Sequence, residues 1–379
     1  TPNTGVTTST TLTCAGSGYD DDDDSITWSY DWNYTDGTGS TGNLCSTGTC
    51  TDTLVLTAAS VQPGWTVTCS AKATDEHGLH GVSSSNVTID NSSPTVDTIS
   101  LTPATKVATN SVLTCVATAS DPDDDGTGTG TPTLTYAWKN VTQGTDLSSS
   151  ASAVSGGSEL ILTTSMVDPF DAVQCEATAR DSGGKTDTQT TSVNIVNTDP
   201  IMGTLSITPN PAYNTSTLTC AGSGSDIDDG ALTPTCTWEN TTAGASLATT
   251  CTVDLASVTG SEPGDTLTCT ATVTDNDGAT DSQTQSITLE NRAPTLAVST
   301  SNVPSGPVYN DSTIRCQLTG TDPDGTTALQ YRVQWFVNGT SGSPTPWTTT
   351  TNYQVLLKPS IAQPGDVIYC KGYVRDADL

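Results

Sequence analysis

Two cysteine segments and a tryptophan recur in the same order four times along the chain. A Leu/Ile-x-Cys segment recurs about every 100 residues and ends at Cys14, Cys115, Cys220 and Cys316. A second cysteine follows a Pro-Gly or Pro-Phe pair in each copy, at Cys69, Cys175, Cys269 and Cys370. One aligned tryptophan lies between the two cysteines, at Trp32, Trp138, Trp238 and Trp335. The repeat predicts four similar domains with the same internal organisation.

The segments around these residues alternate between apolar and polar side chains. Leu267, Cys269, Ala271 and Val273, for example, are interleaved with threonines. This period of two is typical of a strand with one buried and one solvated face. Only 33% of the residues are hydrophobic and 14% are charged, which excludes a fold of long Leu/Ala/Glu/Lys helices. The chain is therefore predicted to be all-β.

Proline-containing linkers separate the copies, because proline cannot continue a central strand. Pro94, Pro200 and Pro294 mark these linkers. They predict four domains with the boundaries 1–93, 94–199, 200–293 and 294–379.

The first and last copies are expected to be incomplete. Thr1-Pro2 aligns with Thr102-Pro103, so domain 1 is expected to lack its first strand. Arg375-Asp376 aligns with Arg180-Asp181, so domain 4 is expected to lack its last strand. Either the sequence is a window of a longer array, or a neighbouring molecule supplies the missing strand by edge addition.

The Cys…Trp…Cys order over about 100 residues of short alternating strands resembles the immunoglobulin-like sandwich. The acidic turns Asp121-Pro122-Asp123, Asp322-Pro323-Asp324-Gly325 and Thr274–Gly278 are similar to those of PKD-type repeats of prokaryotic surface proteins. Antibody relatives carry a tyrosine two residues before the second cysteine, where this chain has Val67, Val173, Leu267 and Ile368. The resemblance covers the whole chain and is to Ig-like repeats in general. It implies a tandem array of four Ig-like β-sandwiches, each with a disulfide between strands B and F.

The even number of cysteines, 12, indicates six disulfides and an oxidising compartment. Four pairs follow from the repeat: Cys14–Cys69, Cys115–Cys175, Cys220–Cys269 and Cys316–Cys370. The remaining cysteines pair within their domains as Cys45–Cys50 and Cys236–Cys251. Zinc ligation is the alternative for Cys45 and Cys50, but the pair lacks neighbouring Cys or His ligands.

Eight Asn-x-Ser/Thr sequences are candidate sites for N-linked glycans. They are Asn33, Asn86, Asn91, Asn140, Asn214, Asn240, Asn310 and Asn338. One site in each domain closely follows the aligned tryptophan: Asn33, Asn140, Asn240 and Asn338. This regularity predicts one glycan per domain near the end of strand C. The alternative is a turn that favours asparagine and was inherited by every repeat.

The chain is strongly acidic, with 41 Asp and Glu residues against 11 Lys and Arg residues and a net charge of −30. This balance excludes nucleic acid and anionic lipid surfaces as partners. The loops next to the linkers hold the candidate calcium ligands Asp121, Asp123, Asp125, Asp181, Asp226, Asp228, Asp275, Asp277, Asp322 and Asp324, with Asp376 and Asp378 beside the last group. Clustered carboxylates suit Ca²⁺, but solvated Asp-rich turns are the competing interpretation.

No catalytic motif is found. His77 and His80 are the only histidines, and neither a Gly-x-Ser-x-Gly sequence nor a phosphate-binding glycine loop is present. No stretch reaches roughly 18 apolar residues, so no membrane span is predicted in this segment.

The chain is therefore predicted to be a non-enzymatic, extracellular or cell-surface protein that needs no cofactor. Its predicted function is that of a structural component of a filament, stalk or fibre, with copies of itself as partners. The alternative is an adhesin that binds a protein or glycan through the loops of one domain. Domain 4, with Trp335, Phe336 and Trp347, is the best candidate for such a binding domain.

Overall fold

The computed structural model describes residues 1–45, 50–126, 130–325 and 328–376. Apart from one turn of 3₁₀ helix at Ser148–Ser150, the regular elements in these ranges are β-strands. The all-β prediction is therefore confirmed. The backbone forms two compact units, Thr1–Asn197 and Thr198–Leu379. The four predicted domain boundaries stay a prediction, and each sheet described below lies inside one of the four predicted ranges.

The first sandwich of unit 1 consists of a short and a long antiparallel sheet, in the strand orders β1-β4 and β3-β2-β5-β6. The strands are β1 (Thr11–Thr13), β2 (Thr27–Thr35), β3 (Thr41–Asn43), β4 (Thr53–Val55), β5 (Thr66–Thr74) and β6 (His80–Thr88).

The second sandwich of unit 1 has two four-stranded sheets, β11-β12-β8-β7 and β10-β9-β13-β14. The strands are β7 (Thr95–Thr102), β8 (Val112–Ser120), β9 (Thr133–Asn140), β10 (Thr145–Asp146), β11 (Ala151–Val154), β12 (Gly157–Ile161), β13 (Ala172–Arg180) and β14 (Thr186–Asn194).

The first sandwich of unit 2 has the sheets β15-β18-β19, β16-β17-β22 and β21-β20-β23-β24. The strands are β15 (Ile201–Met202), β16 (Ser206–Thr208), β17 (Thr217–Ala221), β18 (Gly224–Asp226), β19 (Gly230–Leu232), β20 (Thr235–Asn240), β21 (Ala245–Ala248), β22 (Thr252–Asp254), β23 (Thr266–Thr274) and β24 (Thr280–Thr288).

The second sandwich of unit 2 has two three-stranded sheets, β25-β26-β29 and β28-β27-β30. The strands are β25 (Thr295–Val303), β26 (Thr313–Thr321), β27 (Gln330–Val337), β28 (Thr340–Ser341), β29 (Asn352–Leu356) and β30 (Ile368–Arg375).

In each sandwich, residues that alternate in the sequence point alternately into the core and towards solvent. On β23 the side chains of Leu267, Cys269, Ala271 and Val273 are fully buried, whereas the intervening threonines reach the surface. Burial of a leucine or valine side chain such as Leu267 or Val273 contributes roughly 1.5–3 kcal/mol. Small cores of this kind recur in all four sandwiches.

The aligned tryptophan occupies the same position in each sandwich. It lies directly opposite the second cysteine on the neighbouring strand, in the pairs Trp32–Cys69, Trp138–Cys175, Trp238–Cys269 and Trp335–Cys370. In the second sandwich Trp138 is only 1% exposed, and its Nε1 donates to Ser158 Oγ at 2.9 Å. In the first three sandwiches the tryptophan is buried in the core next to the cysteine, whereas Trp335 of the last sandwich is half-buried.

Six disulfides join the cysteine pairs that the sequence analysis expects. Cys115 on β8 and Cys175 on β13 belong to opposite sheets of one sandwich, with a Cα–Cα distance of 6.5 Å. The pairs Cys220–Cys269 and Cys316–Cys370 likewise join opposite sheets. These cross-links hold the two layers of a sandwich together.

Removal of a disulfide should cost more stability the longer the loop that it closes, with a logarithmic dependence on loop length. Cys115 and Cys175 are 60 residues apart, whereas Cys45 and Cys50 are 5 apart. In the chain-entropy model, the double Cys→Ala variant of the first pair loses about 4 kcal/mol and that of the second about 2 kcal/mol. Hydrogen exchange with mass spectrometry measures the loss in each sandwich. Equal losses for the two variants would contradict the entropic explanation.

Candidate functional site

The acidic turn after β8 contacts the linker that precedes its own sandwich. Asp121 Oδ1 accepts a hydrogen bond from the Asp123 backbone N–H at 2.7 Å, which makes a tight Asx turn. This turn directs the Asp123 carboxylate towards the first sandwich. Its Oδ2 accepts from the Ser92 N–H at 2.6 Å, and its Oδ1 accepts from Thr8 Oγ1 at 2.6 Å. One buried carboxylate thus joins two consecutive sandwiches.

A second carboxylate, Asp181, binds the same linker from the loop after β13. Its Oδ2 accepts from Asn91 Nδ2 at 2.8 Å, and its Oδ1 accepts from the Lys185 N–H at 2.8 Å. Lys185 Nζ in turn donates to the Asn91 carbonyl at 2.6 Å. A Cβ atom at Gly183 would lie 2.6 Å from Asn91 Nδ2, so any larger residue there would displace the Asn91 side chain from this contact.

Unit 2 repeats the Asx turn and the linker contact at its own N-terminal end. The Asp228 N–H donates to Asp226 Oδ1 at 2.6 Å. Asp228 Oδ2 accepts from the Thr198 N–H at 2.7 Å and from Thr198 Oγ1 at 2.8 Å. Thr198 therefore takes the place that Ser92 has in unit 1, and Asp228 takes the place of Asp123.

Unit 2 contains a further copy of this contact between its two sandwiches. The Asp324 N–H donates to Asp322 Oδ1 at 2.8 Å, and Asp324 Oδ2 accepts from the Arg292 N–H at 2.6 Å. The Arg292 guanidinium adds an ion pair with Asp324, with 2.7 Å between Nη2 and Oδ1. Asp376 Oδ2 accepts from Asn291 Nδ2 at 3.1 Å, as Asp181 does from Asn91.

The carboxylates at these contacts are buried close to one another. Asp121 is 7% exposed. Burial raises the pKa of Asp121, and the negative charges of Asp123, Asp181 and Asp124 raise it further. In unit 2 desolvation also raises the pKa of Asp277, together with the charge of Asp275 and of the Asp226–Asp229 turn. The structure thus brings the predicted acidic groups together within each unit.

Calcium binding at these aspartates stays a prediction. Asp121 Oδ2, Asp226 Oδ2 and Asp376 Oδ1 are buried oxygens without a hydrogen-bond partner, so they are the oxygens open to a cation. Within the described ranges, no three of the predicted ligands place their carboxylate oxygens within 4.8 Å of one another. Asp123 and Asp324 instead use their oxygens for linker donors. Asp125 is half-buried in its turn, and Asp378 lies outside the described residues.

Two of the predicted glycosylation sites have completely buried side chains. Asn140 is 0% exposed, and its Nδ2 donates to Asp171 Oδ2 at 2.7 Å. Asn240 is also 0% exposed, and its Nδ2 donates to Asp265 Oδ2 at 2.7 Å. Asn338 makes the corresponding bond to Asp366 on the surface. The asparagine after the tryptophan is thus part of a hydrogen-bonded corner, which supports the inherited-turn interpretation.

The other predicted glycosylation sites differ in exposure. Asn91 and Asn214 are half-buried and use Nδ2 as a donor, Asn91 to Asp181 and Asn214 to the Asp324 carbonyl. Asn33 donates to Asp31 Oδ2 at 2.6 Å, and Asn310 is half-buried. Asn86 on β6 is exposed. Glycosylation of any of them stays a prediction.

The hydrogen-bond partners of these asparagines and aspartates were not predicted from the sequence. Asp171, Asp265 and Asp366 each lie two residues after a proline, in Pro169-Phe170-Asp171, Pro263-Gly264-Asp265 and Pro364-Gly365-Asp366. This repeated aspartate could have predicted the corner. Thr8 and Ser92 carry no such signal, because serine and threonine are common throughout the chain.

A groove with a volume of about 780 Å³ opens on the first sandwich. Its lining includes Cys14, Trp28, Ala71, Leu79 and Val82. On the second sandwich β7 covers the corresponding surface, where Val96 packs against Ala177 and Ala179.

The two histidines form no catalytic arrangement among the described residues. Both are exposed, and His77 Nε2 lies 3.6 Å from Asp24 Oδ2 at the surface. In the described ranges there is also no helix that is long and apolar enough to cross a membrane.

Comparisons with known proteins return tandem extracellular repeats. No family model and no curated protein matches the chain. Among solved structures, it is similar to a tetra-tandem repeat from the extending region of a large adhesion protein, at 18% identity, 92% coverage of both chains and a TM-score of 0.27. It is also similar to a Ca²⁺-stabilized adhesin that helps an Antarctic bacterium bind ice, at 15% identity, 92% and 90% coverage and a TM-score of 0.30.

Protocadherin gamma B2 cadherin domains 3–6 are similar at 12% identity, 92% and 91% coverage and a TM-score of 0.28. At these low identities and TM-scores, the function has to be inferred from the residues of the chain itself.

Mass-spectrometric peptide mapping of the secreted protein should find Asn140 and Asn240 unmodified. Their side chains are buried and their amide groups are hydrogen-bonded, so a glycan would have to open the corner. If glycans are present, we expect them first at the exposed Asn86. A glycan on Asn140 or Asn240 would contradict the corner geometry.

The raised pKa of Asp121 predicts a pH-dependent effect of the substitution Asp121→Asn. A carboxyl group with a raised pKa contributes stability below its unfolded pKa, and this contribution is lost as pH rises through the folded pKa. Asparagine keeps the Oδ1 acceptor of the Asx turn but carries no charge. In EDTA the variant should therefore melt at a higher temperature than the wild type at about pH 7, and at a similar temperature at about pH 3.

Asp97→Asn, an exposed acid on β7, is the matched control, and differential scanning calorimetry measures both variants. A lower melting temperature of Asp121→Asn in EDTA at neutral pH would contradict the prediction. Calcium addition completes the test. If Ca²⁺ raises the melting temperature of the wild type but not that of Asp121→Asn, Asp121 is a calcium ligand.

Proposed function

We propose that the chain is a structural component of an extracellular stalk, filament or cell-surface fibre. The observation that carries the proposal is the repeated contact of an aspartate turn with a linker N–H. It is made by Asp123 with Ser92, by Asp228 with Thr198 and by Asp324 with Arg292. Equivalent groups at equivalent positions favour a function that every repeat shares, rather than a single specialised site.

The contact would give each linker a defined direction. The linker N–H and a side chain of the preceding sandwich donate to the same carboxylate, so both are held in one geometry. A buried hydrogen bond to a charged group contributes about 1.5–3 kcal/mol. The disulfide inside each sandwich limits how much chain can be extended if that sandwich unfolds under tension. Both properties suit a component that bears mechanical load.

The proposed location is outside the cell. All 12 cysteines are in disulfides, and the intersheet disulfides Cys115–Cys175 and Cys220–Cys269 lie inside the cores. Disulfides form and persist in oxidising environments. N-linked glycans at exposed sites such as Asn86 and Ca²⁺ at the acidic turns would be additions to this structural role.

A second candidate function, adhesion through one domain, is favoured by one observation. The last sandwich has an aromatic and cationic outer face at the position where the other sandwiches have mostly serines, threonines and a few charged groups. The two functions are compatible, because a stalk can carry a binding domain.

The structural role predicts that Asp123→Ala loosens the linker between the sandwiches of unit 1. The variant loses the acceptor for Ser92 and Thr8. We expect limited proteolysis at residues 91–94 to be roughly tenfold faster than in the wild type, from a loss of about 1–3 kcal/mol. Asp124→Ala is the matched control, since among the described residues the Asp124 carboxylate accepts from Gly126 and Thr131 of its own loop and not from the linker.

Equal cleavage rates for the two variants would contradict a role of Asp123 in holding the linker. Negative-stain electron microscopy of the secreted protein tests the function itself. Fibres or stalks on the cell surface are the expected result, and dispersed molecules without attachment to a larger structure would refute it.

A further inference from the structure

The last sandwich presents an unusual outer face on the sheet β28-β27-β30. The outward cross-strand pairs of β27 and β30 are Gln330–Arg375, Arg332–Tyr373, Gln334–Lys371 and Phe336–Tyr369. The side chains between them, such as Tyr331 and Val333, are buried in the core. At the corresponding positions of β20 and β23, the outward pairs are Thr235–Thr272, Thr237–Thr270 and Glu239–Thr268. Large aromatic and cationic side chains thus replace small polar ones on this face.

Cations and aromatic rings alternate along this face, which we call the cation–aromatic face. Its central members are Lys371, Tyr373, Arg332, Trp347 and Arg375. The Arg332 guanidinium carbon lies 4.6 Å from the Trp347 ring centre and 4.8 Å from that of Tyr373. Arg375 lies 4.5 Å from the Trp347 ring centre, and Lys371 Nζ lies 5.2 Å from that of Tyr373. Each cation therefore contacts at least one ring.

Hydrogen bonds hold these side chains in place. Arg375 donates from Nε and Nη2 to Gln330 Oε1, at 2.9 Å and 2.7 Å. Tyr373 Oη donates to Gln334 Oε1 at 3.3 Å, and Gln334 Nε2 donates to the Gly342 carbonyl at 2.9 Å. Binding normally costs the entropy of ordering long side chains. Because these side chains are already ordered in the unbound chain, a partner would bind with a smaller entropic cost.

Within the described residues, no carboxylate pairs with the cations of the cation–aromatic face. The ion pairs there are His77–Asp24 and Arg292–Asp324, so no described carboxylate lies within 4.0 Å of either guanidinium or of the Lys371 ammonium. This holds although the chain has 41 acidic residues and a net charge of −30. Arg332 Nε is also buried without a hydrogen-bond partner. The face therefore suits an acidic partner.

We propose that the cation–aromatic face binds the acidic loop Asp20–Asp24 of a second copy of this chain. The loop has five consecutive carboxylates, and Asp21, Asp22 and Asp23 are exposed. Within the described residues, the carboxylates of this loop make one ion pair, Asp24 with His77, and one hydrogen bond, in which Asp20 Oδ1 accepts from the Asp22 N–H. A guanidinium stacked on a ring keeps its edge N–H groups free for carboxylates. Charge complementarity thus selects this loop as the occupant.

The proposal deepens the proposed fibre role by naming a contact between copies. A failure of this proposal can be distinguished from a failure of the fibre role, because the proteolysis result for Asp123→Ala does not depend on whether chains associate. Sedimentation velocity of the whole chain at increasing concentration is the primary test. We expect association in about 20 mM NaCl and its loss in about 500 mM NaCl, because exposed charges are screened over a few ångströms at high salt.

The substitution Lys371→Glu tests the face. Lys371 is exposed, and its charge reversal should weaken association roughly three- to tenfold. Lys139→Glu is the matched control, because Lys139 is an exposed lysine on the outer face of β9. On the loop side, Asp22→Lys should weaken association to a similar extent. A mixture of the Lys371→Glu and Asp22→Lys chains restores complementary charges at both ends and should associate more strongly than either variant alone.

Several outcomes would overturn the proposal. A wild-type chain that stays monomeric at low salt overturns it, and so does equal weakening by Lys371→Glu and Lys139→Glu. If the wild type stays monomeric but binds polygalacturonate, and Lys371→Glu abolishes this binding, the face recognises an acidic polysaccharide instead of a second copy. Unchanged circular dichroism and melting temperature show that each variant is folded.

Discussion

The structure depends on a covalent link between two thin layers. The sheets carry mostly threonine and serine on their outer faces, and each core contains few large apolar side chains. A disulfide such as Cys115–Cys175 joins the layers, and Trp138 lies opposite its second cysteine. Because a small core supplies little hydrophobic free energy, the cross-link and the single tryptophan stabilise each sandwich. The outer faces are then free to vary without loss of the fold.

The acidic composition has a structural use at the contacts with the linkers. Asp121 folds the turn by binding the Asp123 N–H, and Asp123 then binds Ser92. Burial of these carboxylates costs free energy, which the hydrogen bonds offset for Asp123 but not fully for Asp121. Asp121 Oδ2 has no hydrogen-bond partner. The aspartates at this contact can therefore accept hydrogen bonds from the linker, and they can also offer an oxygen to a cation. Arg292 provides a built-in counter-charge at the last copy of this contact.

The last sandwich departs from the repeated pattern on one outer face, which indicates a property that the other sandwiches do not share. Arg332, Tyr373 and Trp347 stack on an outer face whose counterpart in the preceding sandwich consists mostly of threonines. On β27 and β30 the side chains of this face point away from the core. A repeated scaffold with one altered face can combine a mechanical role with recognition.

Strands, cores and cysteine pairs could be predicted from the sequence alone, because period-two alternation and cysteine spacing are local patterns that the backbone obeys directly. The tertiary structure decided which polar groups meet. Asn140 looked like a surface glycosylation site, yet it is buried because Asp171, 31 residues away, accepts its amide hydrogen. Asp123 was predicted as a metal ligand, yet it binds Thr8, which is 115 residues away. Such contacts depend on how separate segments pack, and a local pattern of residues does not contain that information.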